Sequence, residues 1–529
     1  SGGVMDTKAL RQKILDLAIR GKLVPQDPND EPAEVLLERI REQKQQMFKE
    51  GKLKKKDIKN DTIIFKGEDN LHYEKFQDGT VKCIEDEIPF EVPEGWAWCK
   101  LNDIYNFIDY RGATPTKITN GIPLVTAKNV KSGYIDYTID DYISEEEFKE
   151  RQQRGISKKG DILFTTEAPL GNAALADMEK FSAGQRLITF QQYGSKDELI
   201  NYVMLMFILS DFFQQQLYVN KTGSTVAGIK AAILKTLWIP VPPYNEQLRI
   251  SNTLKSAINL IDSISKNKEI LSTSISNTKS KILDLAIRGK IVPQDPNDEP
   301  ASVLLERIRA EKEELIKQGK IKRDKKESVI FKGDDNSYYL RTGGVEESLE
   351  DWRFDDLPET WKICCLWELC DYGDCINVNT EDIAEDAWIL DLEDIEKDTG
   401  TVLKKVTKAQ RNSVSTKHKF HSGQVLYSKL RPYLNKVVLS DADGYCTSEI
   451  LPLEFKNCVL PEYARYYLMS GTFIAYANHC SYGVKMPRLG TTDGKKAIFS
   501  LPPLSEQKRI VETIDFCFMQ LNKISEALA

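Results

Sequence analysis

Lys13–Lys44 reads KILDLAIRGKLVPQDPNDEPAEVLLERIREQK, and Lys281–Lys312 reads KILDLAIRGKIVPQDPNDEPASVLLERIRAEK. The copies differ only at Leu23/Ile291, Glu34/Ser302, Glu42/Ala310 and Gln43/Glu311. The segments that follow them hardly resemble one another. The chain is therefore built twice, with a near-constant frame and divergent cargo. Such a plan implies two different recognition modules held at a set distance.

A second pair of similar segments follows the modules: PPYNEQLRI at Pro242–Ile250 and PPLSEQKRI at Pro502–Ile510. The PP dipeptide blocks helix on its N-terminal side. Asn245 and Ser505 are the expected N-caps, with Glu–Gln in the first turn. After Asn245 the heptad seam is Ile250, Leu254, Ala257, Ile261, Ile264, Lys268, Leu271, Ile275, Thr278, Ile282 and Leu285, polar only at Lys268 and Thr278. About 40 residues of helix would span roughly 60 Å, ending at Gly289 before Pro293. The first half of this helix matches the C-terminus (Ile510, Ile514, Cys517, Leu521, Ile524, Leu528), and the second half matches the N-terminus (Leu10, Ile14, Leu17). The two chain ends thus rebuild the central helix. The expected geometry places them end to end and antiparallel to it, closing a pseudo-two-fold ring. Two unrelated hairpins from a local duplication would leave the matching ends unexplained.

After Gly21 and Gly289 come Pro/Asp/Asn turns, then helices expected from Ala33 and Ala301. Lysine-rich tails (Lys52–Lys56, Lys317–Lys326) follow, suited to a solvated helix end or to phosphate, then FKGEDN at Phe65–Asn70 and FKGDDN at Phe331–Asn336.

With 529 residues, roughly 100–200 per domain implies three or four units. Hydrophobic content of 41% and charged content of 29% are ordinary for a soluble chain. No apolar run approaches the ~18 residues of a membrane span. The start, SGGVMDTKAL, lacks an apolar signal region, so a cytoplasmic location is expected, with Ser1–Val4 read as a cloning remnant. Cys364, Cys365, Cys370 and Cys375 crowd together without CxxC spacing, so no metal site is assigned; buried reduced thiols are expected. The net charge of −7 argues against a simple DNA-binding domain. Segregated charge, or a partner that supplies most phosphate contacts, would answer that objection.

The divergent modules share a skeleton. VPEGWAWCKLNDI (Val92–Ile104) faces LPETWKICCLWEL (Leu357–Leu369), and KGDILFTTEAPLGNAAL (Lys159–Leu175) faces SGQVLYSKLRPYLNKVVL (Ser422–Leu439). Aromatic-rich helices are expected at Asn201–Leu217 and Pro461–Ala477, then loops KTGSTVAGIK (Lys221–Lys230) and YGVKMPRLG (Tyr482–Gly490). Short β-type runs at Ile162–Phe164, Leu187–Phe190, Val425–Tyr427 and Ile450–Leu453 make the modules α+β.

This ordered set, occurring twice over nearly the whole chain, resembles the specificity subunit of type I DNA restriction–modification systems, in a circularly arranged variant. A full helical half precedes the first recognition domain, a departure that fits such variants. The implied fold is two α+β target-recognition domains joined by long antiparallel coiled-coil helices with pseudo-two-fold symmetry. The divisions are a helical region and linker at 1–87, recognition domain 1 at 88–244, a central helical region at 245–350, recognition domain 2 at 351–504 and a C-terminal helical region at 505–529. The resemblance implies a non-catalytic chain that reads a split, asymmetric target in double-stranded DNA. It further implies two modification (methyltransferase) subunits and restriction (motor/endonuclease) subunits as partners. S-adenosylmethionine, ATP and Mg belong to those partners, with no cofactor in this chain. VPPY (Val241–Tyr244) lacks the amide or carboxylate of an adenine-methylase (N/D)PP(Y/F) loop, LPPL (Leu501–Leu504) lacks even the aromatic, and no GxxxxGK(S/T) loop is present.

Arg and Lys read guanine and Asn and Gln read adenine, while lysines and hydroxyls hold phosphates. The DNA-binding candidates in module one are Arg111, Thr114, Thr126, Lys128, Asn129, Lys221, Ser224, Thr225 and Lys230. In module two they are Lys429, Arg431, Tyr433, Lys436, Lys485 and Arg488. Asn172 and Asn435 suit turns equally well, and Glu167 suits either a cytosine contact or a loop cap. The partner-binding candidates on the repeated connectors are Leu17, Arg20, Leu36, Ile40, Leu285, Arg288, Leu304 and Ile308. The competing reading is a coiled-coil scaffold that carries two protein-binding domains and no DNA.

Overall fold

The computed structural model describes residues 6–59, 61–110, 114–138, 141–193, 198–223, 227–320, 327–349, 356–411 and 414–528. It divides into two compact units, Met5–Lys268 and Glu269–Ala529. Among the described residues no helix is long and apolar enough to cross a membrane.

In the first unit, Asp6 caps the helix Thr7–Ile19 by accepting from the Lys8 and Ala9 N–H groups. Gly21 ends it at φ +65°, and Lys22 N–H closes on Leu17 O. After the Pro/Asp turn, the helix Ala33–Lys49 turns Leu36, Leu37 and Ile40 into the core. FKGEDN forms the tip of a hairpin between Ile63–Lys66 and His72–Lys75, with Asn70 at φ +64°. Sequence alone left these motifs unassigned; FKGDDN forms the matching hairpin in the second unit, between Ser328–Lys332 and Tyr338–Thr342.

The module itself is a four-stranded antiparallel sheet in the order Tyr105–Asp109, Leu187–Gln192, Ile162–Thr165, Ala173–Leu175. A smaller sheet joins Ile122–Val125 to Ser182–Ala183 in parallel and to Tyr142–Ile143 in antiparallel register. Trp238–Val241 pairs antiparallel with Ala97–Lys100, so the module's last strand returns to its first.

The second unit repeats this closure through Ile498–Leu501 on Lys362–Cys365. Its module holds a three-stranded sheet (Val437–Leu439, Val425–Ser428, Ile450–Leu453) and a five-stranded sheet (Ile376–Val378, Lys417–Phe420, Gly444–Thr447, Trp388–Leu390, Val406–Thr407). Six of the ten cysteines are buried; burial pushes the thiols of Cys364 and Cys99 up.

Each aromatic-rich helix expected as one piece is two. Asn201–Ile208 and Asp211–Val219 break at Ser210, and Pro461–Leu468 and Gly471–His479 break at Ser470. Each serine hydroxyl donates to the carbonyl three residues back (Phe207, Tyr467) and accepts from the N–H three residues on (Phe213, Phe473). Periodicity alone misses such a break, because the apolar spacing runs through it.

The helix after the first PP dipeptide spans Tyr244–Ala286, 43 residues, starting one residue before the expected Asn245 cap. Its counterpart spans Leu504–Leu528. In the first unit the long helix runs antiparallel to Thr7–Ile19, with Arg11 on Asp262 at 3.0 Å and, beyond the turn, Arg249 on Asp30 at 2.6 Å. In the second unit its later turns run antiparallel to Leu504–Leu528, with Lys279 on Asn522 at 2.6 Å and Arg509 on Asp298 at 2.6 Å. On the expected seam, Ile250, Leu254, Ile261 and Ile275 are buried, but Leu271 is 40% exposed. Ile258 and Leu283, off that seam, are buried too. Ile258 joins the apolar core of the first unit and Leu283 that of the second, so the helix serves more than one face.

The PPxxEQxR exit earns its spacing in both units. Glu246 accepts from the Trp96 indole N–H at 2.9 Å and from Gln26 at 3.0 Å. Glu506 accepts from Trp361 at 2.9 Å and from Gln294. Burial pushes both carboxyls up, against the pull of these donors. The next residue, Gln247 or Gln507, donates to Pro242 O or Pro502 O and accepts from Ile200 N–H or Leu460 N–H, at the start of the aromatic-rich helix. One dipeptide thereby ties connector, module and exit helix together.

Candidate nucleic-acid interface

Three backbone segments meet at the same place in each module. In the first, Thr166 N–H donates to Arg186 O at 2.9 Å and Ile229 N–H to Thr166 O at 3.0 Å. Glu167 and Gly228 form a bridge. In the second, Lys429 N–H donates to Glu449 O and Leu489 N–H to Lys429 O, both at 3.0 Å, with Leu430 bridged to Arg488. The residues after these bridges, Ala168 and Arg431, have φ of +47° and +50°, a region costly for side-chain-bearing residues. The frame is one; the side chains on it differ.

In module one this cradle opens onto a cavity of about 370 Å³ lined by Thr166, Glu167, Gln185, Arg186, Thr222, Gly228, Ile229 and Lys230. Arg186 Nε lies 2.9 Å from a Glu167 oxygen, with both side chains about half exposed. In module two Arg488 packs its Nε and Nη2 against both Glu449 oxygens at 2.9–3.2 Å. This side-on contact holds the Arg488 guanidinium charged and raises its pKa.

Of the candidates from sequence, the fold brings Lys230 into the first cradle, and Lys429, Arg431 and Arg488 into the second. Arg431 N–H donates to Pro487 O at 2.7 Å, joining the SKLRP and GVKMPR segments. Lys128, Thr114 and Lys485 are exposed, and Tyr433 is 47% exposed. Lys221 Nζ stacks 3.4 Å from the centroid of the exposed Tyr218 ring. Arg111, Ser224 and Thr225 lie outside the described residues.

Several assignments are corrected. Asn129 is 2% exposed: its amide donates to Asp136 O and its oxygen accepts from the N–H and hydroxyl of Thr126. It therefore braces a turn, and the Thr126 hydroxyl gives its proton to it. Asn172 ties its loop to that turn through Val130 O. Lys436 donates to Leu392 O at 2.6 Å, so its ammonium is held within the module. On the connectors, Leu36, Ile40 and Leu304 are 1%, 0% and 6% exposed and pack into their own unit's core, which excludes them as a partner surface. Leu17, Leu285 and Ile308 are half-buried. Arg20 bonds Asp16 and covers the Phe90 ring, and Arg288 is exposed.

Sequence reasoning missed Arg186, Gln185 and Glu449. A signal was present: Arg186 and Glu449 each immediately precede an apolar strand, Leu187–Gln192 and Ile450–Leu453. Superposing those strands in register would have paired the two positions.

Among the described residues no cluster of three or more His, Cys, Asp or Glu is placed to hold a metal. Two unlike sets of polar side chains thus stand on copies of one backbone frame, one in each unit. The model of the type I restriction modification DNA specificity domain matches twice, at 93–272 and 358–527. The chain belongs to this family and is a specificity subunit of a type I restriction–modification system. It is 28% identical to the Type I restriction enzyme EcoAI specificity subunit of Escherichia coli, over 98% of this chain and 90% of that one. It is 26% identical to the EcoEI specificity subunit of the same species, with the same coverage. A solved chain from a study of complex assembly and conformational transition of the type I R-M system shares the fold, with a TM-score of 0.52 at 16% identity over 83% of this chain and 94% of that one.

Proposed function

We propose that this specificity subunit reads a split, asymmetric target, one half-site per module, with modules at 88–244 and 351–504. The observation that carries this reading is the pair of cradles: one hydrogen-bonded frame, furnished with Thr166/Glu167/Arg186/Lys230 in one unit and Lys429/Leu430/Glu449/Arg488 in the other. Different side chains on one frame present different donor and acceptor patterns, so the half-sites differ. The antiparallel contacts of the long helix within each unit support a coiled-coil connector in each. On these connectors the exposed or half-buried residues, Arg288, Leu17, Leu285 and Ile308, receive two modification subunits, with restriction subunits joining the core. The chain itself is non-catalytic; S-adenosylmethionine, ATP and Mg act in the partners, in the cytoplasm. A partner basic surface supplies most phosphate contacts to this chain of net charge −7.

The test is a single-base methylation map of the source genome with and without the gene. Loss of methyl-adenine at one two-part motif supports the reading. Loss at an uninterrupted or palindromic motif refutes the two-module account.

A further inference from the structure

The cradles share more than a backbone. Each carries one arginine and one glutamate in contact, but on different segments. Three positions correspond between modules: Glu167 with Leu430, Arg186 with Glu449, and Gly228 with Arg488. The pair is made between the first and second positions in module one and between the second and third in module two. Charges have moved around the frame, yet an arginine–glutamate contact stands in each cradle.

Stability does not explain the module-one contact. The Arg186 and Glu167 side chains are 55% and 43% exposed, and such a pair contributes little to folding. What the contact does is fix a guanidinium. Glu449 takes the side edge of Arg488, Nε and Nη2, while Nη1 has only a 3.4 Å contact to Met486 O. In module one the contact is an ion pair, with Arg186 Nε 2.9 Å from a Glu167 oxygen. A guanidinium held by its side edge keeps its end fork, Nη1 and Nη2, for a second planar acceptor pair. Guanine O6 and N7 are such a pair in the major groove. A flexible arginine would lose rotamer freedom on binding, and a carboxylate brace removes part of that loss beforehand.

Resting on the specificity-subunit reading above, we propose that Arg186 and Arg488 each read one guanine, in the half-sites of modules one and two respectively. Glu167 and Glu449 are positioning residues that hold the forks and touch no base. Each half-site therefore contains at least one guanine·cytosine pair whose identity depends on one side chain.

The test uses the complete modification complex and a pool of duplexes carrying every single-base change of the wild-type methylation target. Arg186→Gln and Arg186→Ala should lower discrimination at one G·C pair of one half-site, by roughly 5- to 150-fold. Discrimination at the other half-site should stay within about twofold by the same reasoning. Arg488→Gln and Arg488→Ala should do the same in the other half-site. Glu167→Gln and Glu449→Gln should weaken discrimination at the same pair as their arginine, by a smaller factor. Co-purification with the modification subunit and thermal melting confirm that each variant is folded. A loss of methylation that is uniform across the pool, or unchanged discrimination at every pair, overturns the proposal. If wild-type complex methylates no two-part target, the specificity reading itself fails, which is a separate result.

Discussion

Gly21→Ala tests how the constant frame is locked to its variable cargo. Gly21 and Gly51 both follow a helix and share a left-handed backbone, with φ of +65° and +72°. A side chain in that region costs about 1–2 kcal/mol. Their surroundings differ. A Cβ at Gly51 meets nothing within 4 Å, whereas one at Gly21 would lie 2.3 Å from Pro93 Cγ and 2.7 Å from Cδ. The proline ring cannot rotate away, so the chain must shift, an overpacking cost of about 1–3 kcal/mol. Gly51→Ala should therefore lose about 1–2 kcal/mol and Gly21→Ala about 2–5 kcal/mol. Pro93→Ala in the Gly21→Ala background should recover the overpacking part. The second unit offers an internal repeat: a Cβ at Gly289 (φ +67°) would lie 2.5 Å from Pro358 Cγ, and one at Gly319 (φ +68°) would meet nothing within 4 Å. Urea unfolding of the full chain followed by circular dichroism, with thermal melting as a cross-check, measures all of these. Equal losses at Gly21 and Gly51 would refute the reasoning, because backbone conformation alone would then account for the glycine.

Removing the hub carboxylate by Glu246→Ala leaves the Trp96 N–H buried without its acceptor, an expected loss of about 1–3 kcal/mol in urea unfolding; no loss would mean that water replaces it. Burial pushes Asp103 up to about 6, against the Lys100 N–H that its carboxylate accepts. A raised carboxyl holds its proton more tightly folded than unfolded, so its penalty is absent below the unfolded value and grows as pH rises through about 6. The stability of wild type minus that of Asp103→Asn should accordingly fall by ~1–2 kcal/mol between about pH 4 and pH 7.5, with a discount for partial solvent access; a flat difference would count against this assignment. Lys128→Ala should reduce the log–log salt slope of DNA binding by the complex by about 0.9 without altering base preference, and an altered preference would make this exposed lysine a base reader.

The repeat Lys13–Lys44/Lys281–Lys312, the PP exits and the apolar strand runs were legible because they rest on local chemistry. Proline stops helices, glycine takes left-handed turns, and apolar spacing reports the buried face. These features determined by themselves a chain built twice, with α+β modules set between helical connectors. Locality also set the limit. Leu36 and Ile40 looked available as connector surface because a helical pattern reveals which face is apolar, not what covers it. Asn129 looked like an adenine reader because its amide chemistry is the same whether it faces a groove or, as here, Asp136 O and Thr126. The cradles join residues far apart in the chain, Glu167 with Arg186 and Gly228, and Glu449 with Arg488. Only tertiary structure decided those meetings, since a charge carries no sequence-local sign of the partner that will hold it. The shift of the arginine–glutamate contact from the first and second positions to the second and third is invisible until the two backbones are laid on one frame, because what the modules share there is hydrogen-bond geometry and not residue identity.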